Sequence, residues 1–136
     1  MSVFIDTSAI LAIFDSADPR NKSASAIWTG LMNSDEEVIT SNYVIVETTA
    51  LLHSRFGIAI ACQFSENMVP VLSVEWVDEQ LHNTAVSVLN AASSNRSPSL
   101  VDCVSFEVIR RRKVDRVFAY DRHFRERGYE LIGQQT

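Results

Sequence analysis

The chain has 136 residues and a mass of 15.2 kDa; 46% of its residues are hydrophobic and 21% charged, with 4 Gly, 3 Pro and a net charge of −5. This is the size of one domain with one core, and it excludes a disordered, collagen-like or low-complexity chain. No apolar run approaches the ~20 residues that cross a bilayer, and the cysteines Cys62 and Cys103 match no zinc spacing and argue against a disulfide scaffold. The N-terminal stretch lacks a basic segment and carries Asp6 among its apolar residues, so it does not read as a signal peptide; a reducing, cytoplasmic location is the expectation.

Val3-Phe4-Ile5 is a short apolar run that predicts a buried strand. It stops at Asp6-Thr7-Ser8, residues that start helices, and Ala9 to Phe14 follows as a helix. Asp18-Pro19 predicts an N-cap with Pro at the first helical position, for a helix running through Ala24, Ile27, Trp28 and Leu31. Val38-Ile39-Thr40 predicts the second strand. Ser41-Asn42 cap a long helix from Tyr43 to about Phe56, ended by Gly57, and another helix is expected over 58–68. Residues 69–74 predict a third strand, with Pro70 near its start, where a missing N–H is tolerable. Apolar residues at 77, 81, 85, 88 and 89 mark an amphipathic helix. A loop is expected at 95–98, then a helix from Ser99 to about Lys113. A fourth strand is expected over 117–120, a short helix over 121–127 and an edge strand over 130–132. Short apolar strands alternating with helices define one α/β domain with a mainly parallel sheet. Such sheets bind ligands outside the carboxyl ends of the strands, near a switch in strand order, where Asp6 and Asp121 both stand.

Four carboxylates need an explanation. Asp6 and Asp121 each follow a strand and precede a helix, so a helix N-cap is the competing role for either. Ser99-Leu100-Val101-Asp102 fits a variant capping box, which gives Asp102 a structural role of its own. Glu47 differs, because it lies mid-helix among Tyr43, Val44, Ala50 and Leu51 with no Lys or Arg one turn away. A carboxylate inside an apolar stripe is costly unless something pairs with it. The economical explanation is that these acids meet around a cation. Oxygen ligands without Cys or His suit Mg²⁺ or Mn²⁺ rather than zinc, and such ions serve phosphoryl chemistry.

Four segments resemble a known pattern: Phe4-Ile5-Asp6-Thr7-Ser8-Ala9, Thr40 to Thr48 around Glu47, Ser99 to Phe106 around Asp102, and Val117 to Phe124 around Asp121. In order and spacing they are similar to the four motif blocks of PIN-domain ribonucleases, in particular the VapC-type toxins of prokaryotic toxin–antitoxin pairs, over residues 3–132. The resemblance implies a three-layer α/β/α sandwich and a Mg²⁺ or Mn²⁺ site built from Asp6, Glu47, Asp102 and Asp121. It implies metal-dependent endonuclease cleavage of single-stranded RNA, leaving 5′-phosphate and 3′-hydroxyl ends. Thr7 or Ser8 would hold the acids or the phosphate. A homodimer and a cognate antitoxin, whose C-terminal tail enters the active groove, are implied in the same way. One departure stands out: relatives often carry Thr or Ser two residues before the last Asp, and here that residue is Ala119.

Charge distribution adds a second line. Residues 1–95 carry 3 basic and 11 acidic side chains, and residues 96–136 carry 9 and 6. Arg110 to Lys113 has the ready explanation of cations at a helix C-terminus. Arg122 and Arg125 flank the expected metal site and are the phosphate-contact candidates. His53, His82 and His123 show no ligand spacing; a structural or surface role is expected for His123, with a phosphate contact as the alternative. Trp28 and Trp76 are expected in the core or an interface rather than stacked on bases. Two other function classes fit parts of the pattern. One is a non-catalytic binding module on the same fold. The other is a receiver-like phosphoacceptor domain, which needs a Lys after a late strand, and neither Lys22 nor Lys113 is in that place.

Overall fold

The computed structural model describes residues 1–92 and 98–133. Its elements in chain order are β1 (Ser2–Ile5), α1 (Thr7–Phe14), α2 (Asn21–Met32), β2 (Glu37–Ser41), α3 (Asn42–Phe56), α4 (Ile58–Gln63), β3 (Ser73–Glu75), α5 (Glu79–Ala91), α6 (Leu100–Arg112), β4 (Arg116–Phe118), α7 (Arg122–Glu126) and β5 (Leu131–Ile132). The strands form one sheet in the order β3-β2-β1-β4-β5, and every pairing is parallel. From β1 the chain moves outward to β2 and β3, then crosses back to β4 and β5. Right-handed crossovers therefore put the first connections on one face of the sheet and the later ones on the other. The result is the three-layer α/β/α sandwich, with the strand-order switch between β1 and β4.

Val3, Phe4 and Ile5 are fully buried, as expected of a central parallel strand covered on both faces. Val117, Phe118 and Ala119 of the neighbouring segment are buried with them. The short α7 is anchored by Phe124, whose ring lies 5.4 Å from Phe106 and 6.5 Å from Phe4 between centroids. Burying a phenyl ring contributes about 2–3 kcal/mol. That contribution gives five helical residues a fixed position they could not hold alone.

Several element boundaries differ from the expectation. The third strand covers Ser73–Glu75 rather than 69–74, because a π-helical segment at Phe64–Met68 continues into a 3₁₀ turn at Val69–Val71. Pro70 has no N–H for a ladder and Val71 is exposed, so pairing begins only beyond Leu72. The helix expected at 58–68 is accordingly α-helical only to Gln63. Asp18 does not cap α2. Its Oδ1 accepts from the Arg20 backbone N–H at 2.8 Å, closing a turn before the helix starts at Asn21. The fourth strand ends at Phe118, where its pairing with Ile5 ends. Apart from Pro98, the loop expected at 95–98 lies outside the described residues. Among the described residues no helix is long and apolar enough to cross a membrane.

Candidate metal centre

Three aspartates reach the site as helix caps. Asp6 leaves β1 and caps α1, its Oδ2 accepting from the Ser8 backbone N–H at 3.1 Å and the Ser8 hydroxyl at 2.7 Å. Asp102 completes a capping box with Ser99: its Oδ2 accepts from the Ser99 N–H at 3.1 Å, and the Ser99 hydroxyl accepts from the Asp102 N–H at 3.1 Å. Asp121 caps α7, its Oδ1 accepting from the His123 N–H at 2.9 Å. The capping roles weighed against function are thus all present, and all three caps belong to the same cleft. Each aspartate commits one oxygen to its cap and keeps a second for another partner.

The cleft has a volume of about 380 Å³ and is lined by Asp6, Glu47, Asp102 and Asp121, with Thr7, Ser8, Leu11, Ser99 and His123 between them. It opens at the carboxyl ends of β1 and β4, where the Asp6 N–H donates to the Phe118 carbonyl at 3.1 Å. Glu47 comes from α3, which docks through the Thr48 hydroxyl donating to the Thr7 hydroxyl at 3.0 Å. Thr7 is therefore bound to α3, while Ser8 holds Asp6. The apolar surroundings expected of Glu47 are only partial: the side chain is half-buried, and its neighbours Val46 and Ala50 are exposed. It stands on the rim with the half-buried Asp121, and Asp6 and Asp102 stand deeper.

Electrostatics separates the acids. Asp6 is 3% exposed, and its carboxyl is pushed up to about 7. Burial is the main cause, the charges of Asp102 and Asp121 add to it, and the Ser8 bonds oppose it. Asp102 is also raised, chiefly by burial and then by Asp121, against the Ser99 bonds and His123. Buried like charges of this kind relax when a cation joins them. Donor atoms of Asp102, Asp121 and His123 lie within 4.8 Å of one another. One divalent ion can bridge that spacing, and the oxygen-rich donor set fits a hard one.

His123, expected in a structural or surface role with a phosphate contact as the alternative, is brought among the acids. Its Nδ1 lies 3.2 Å from Asp102 Oδ2 and 3.0 Å from Asp121 Oδ1, at the heart of the site rather than on the surface. The available signal was its place two residues after a capping aspartate, which puts the ring beside the cap. Arg122 and Arg125 are exposed on α7, and Arg122 Nε is 3.9 Å from Glu126 Oε1. Much of the remaining positive charge is locally compensated. Arg112 binds Glu75 at 2.9 Å and Glu37 at 3.3 Å, Arg110 binds Glu107 at 2.8 Å, and Arg116 pairs with Glu36. Trp28 packs half-buried against the core as expected, whereas Trp76, just beyond β3, is 72% exposed.

A model of the PIN domain family matches residues 3–128, a span that includes the strand-order switch and the four acids of the cleft. The chain belongs to the PIN domain family. It is 31% identical over 128 residues to the 23S rRNA-specific endonuclease VapC20 of Mycobacterium tuberculosis, an alignment that covers 93% of this chain and 95% of the relative. The crystal structure of that VapC20, a sarcin-ricin loop cleaving toxin, superposes with a TM-score of 0.83 at 30% identity, covering 98% of this chain and 99% of the other. VapBC2 from Rickettsia felis, bound to a DNA fragment from its promoter, shares the fold with a TM-score of 0.66 at 8% identity, covering 97% of this chain and 98% of the other.

Proposed function

We propose that this chain is a metal-dependent endoribonuclease cleaving single-stranded RNA, and the toxin of a type II toxin–antitoxin pair. The observation that carries the reading is the meeting of Asp6, Asp102 and Asp121 with Glu47 in one cleft of a PIN domain. Asp6 and Asp102 are the principal ligands, Asp121 a secondary or water-mediated one, and Glu47 a ligand or the group that orients the attacking water. When bound, Mg²⁺ or Mn²⁺ supplies an acidified water and neutralises charge on the phosphate in the transition state. The chain does the rest. Ser8 keeps Asp6 turned toward the cleft, and Thr7 holds the helix that carries Glu47. Glu47 on the rim can take a proton from water without crossing the buried aspartates. Arg122 and Arg125 contact the RNA backbone beside the reacting phosphate.

The partners follow from the family reading: an antitoxin protein, a second copy of the chain in a homodimer, and a cytoplasmic setting. Ribosomal RNA is the first substrate to test, because the VapC20 relative is named for 23S rRNA. The decisive experiment maps RNA ends in cells expressing the chain, with Asp6→Asn as control. New 5′-phosphate ends that vanish in the variant are the expected result. Identical ends from both proteins would refute the assignment. A degenerate binding module on the same fold would produce no new ends and bind Mn²⁺ weakly or not at all.

A further inference from the structure

A second compartment adjoins the acid cleft. It is a pocket of about 300 Å³ lined by Asn42, Tyr43, Val46, Glu47 and Val101, and Glu47 lines both spaces. On each of the two helices that form it, the lining valine directly precedes an acid of the cleft. Val46 comes before Glu47 on α3, and Val101 before Asp102 on α6. The pocket therefore lies one residue away from the carboxylates on both sides. Tyr43, Val46 and Glu47 share one face of α3 at i, i+3 and i+4. Neighbouring elements hold this lining in place. The Tyr43 hydroxyl is hydrogen-bonded to the His82 ring Nδ1, and the two rings meet edge to face at 5.8 Å between centroids. Asn42 Oδ1 accepts the Val77 backbone N–H at 2.7 Å, which leaves the amide NH₂ as its remaining group, a donor.

We propose that this pocket is a nucleobase subsite, holding the base of a nucleotide that flanks the phosphate bound in the acid cleft. The proposal rests on the endoribonuclease reading above and deepens it by naming what reads the RNA sequence. Single-stranded RNA alternates a charged phosphate with a flat base whose faces are apolar. Unstacked bases are recognised by contacts to those faces and by hydrogen bonds to their edges. The two compartments match that alternation: carboxylate oxygens for a cation and its phosphate, two valines and a tyrosine for the ring. A volume of about 300 Å³ lies at the lower end of small-ligand sites, roughly 300–1,000 Å³. The Asn42 NH₂ adds a donor that a ring nitrogen or carbonyl of the base can accept.

The test uses a short single-stranded RNA carrying a cut site mapped in cells, and two twins, each abasic at one position flanking the cut. Wild type should cleave one of the twins with a kcat/KM about 10-fold or more below that of the parent RNA. Val46 is 68% exposed, so Val46→Trp, which fills the pocket, should stay folded by circular dichroism and bind Mn²⁺ as wild type does. It should cleave the parent and that twin at the same rate. A second readout needs neither metal nor substitution, because RNA stays whole in EDTA. There the parent RNA should shift the Val46 and Val101 methyl resonances of the wild-type chain, and the abasic twin should leave them in place. Equal cleavage of all three RNAs by wild type, or methyl resonances that ignore the base, would overturn the subsite and leave the nuclease standing. An abasic penalty that persists in folded Val46→Trp would overturn it too, and a sedimentation mass falling with that substitution would assign the face to a second copy of the chain. A wild type that cuts no RNA would overturn the nuclease reading and the subsite together.

Discussion

The Ser8 hydroxyl accepts the Tyr120 backbone N–H at 2.9 Å while donating to Asp6 Oδ2 at 2.7 Å. One side chain in the first turn of α1 thus ties the end of β1 to the segment after β4, the two places from which Asp6 and Asp121 enter the cleft. Ala119, two residues before Asp121, brings no hydroxyl to this junction and is itself fully buried. Ser8 is the hydroxyl that performs the linking here.

Ser8→Ala removes both bonds at once. Unfolding in urea should show a loss of about 1–3 kcal/mol, the usual consequence of deleting a bonded hydroxyl in a part-buried site. Mn²⁺ affinity should fall as well, because the Ser8 bonds are what hold the Asp6 carboxyl down against burial. Unchanged stability and affinity would show that the hydroxyl does not organise the site.

Metal-free stability should depend on pH through Asp6. Its folded carboxyl titrates at about 7, against 3.8 for the ordinary group. Between those values the folded chain holds a proton that the unfolded chain has lost. This contribution is full below about pH 4 and disappears as pH rises through 7. The raised Asp102 works in the same direction. The complete change is of the order of 4 kcal/mol for Asp6. Denaturation of metal-free wild type and Asp6→Asn at pH 5 and pH 8 checks it: the variant should keep only the part of the decline that Asp102 contributes and be the more stable at pH 8. Adding Mn²⁺ at pH 8 should restore the wild type and not the variant.

Glu47→Gln should separate chemistry from folding. The half-buried side chain has exposed neighbours, so stability should stay within about 0.5 kcal/mol of wild type. RNA cleavage should fall about 100-fold or more, the scale expected for a missing ligand or proton acceptor. A matched drop in stability and activity would mean that Glu47 is structural.

The arginines should divide into two groups. Arg122→Glu with Arg125→Glu should weaken RNA binding and reduce the dependence of log K on log salt by about 0.7 for each phosphate no longer neutralised. Arg112→Ala should leave that slope unchanged. It should instead destabilise the fold by about 1 kcal/mol, because Arg112 joins the end of α6 to Glu37 of β2 and to Ser73 and Glu75 of β3. Equal salt slopes in all three proteins would refute the phosphate role of α7.

The chain by itself determined the alternation of strands and helices, the parallel sheet and the four acids, because hydrophobic period and capping residues are local properties. Asp6, Asp102 and Asp121 are readable as caps and as motif residues, and the structure shows all three as caps lining one cleft. Boundaries that depend on a neighbour are not readable. The third strand starts late because Pro70 and the preceding helical turns deny it a partner, and the fourth stops where Ile5 stops. The negative-to-positive charge asymmetry reads as a binding signal, yet Glu36, Glu37 and Glu75 fold onto Arg112 and Arg116 and absorb part of it. The tertiary structure alone decided that Glu47 lies on the rim and that Ser8 rather than Thr7 holds Asp6. It also decided that the His123 ring stands between two acids. Most of these are meetings of residues far apart in the chain, and a meeting made by crossover topology leaves no period or spacing in the sequence.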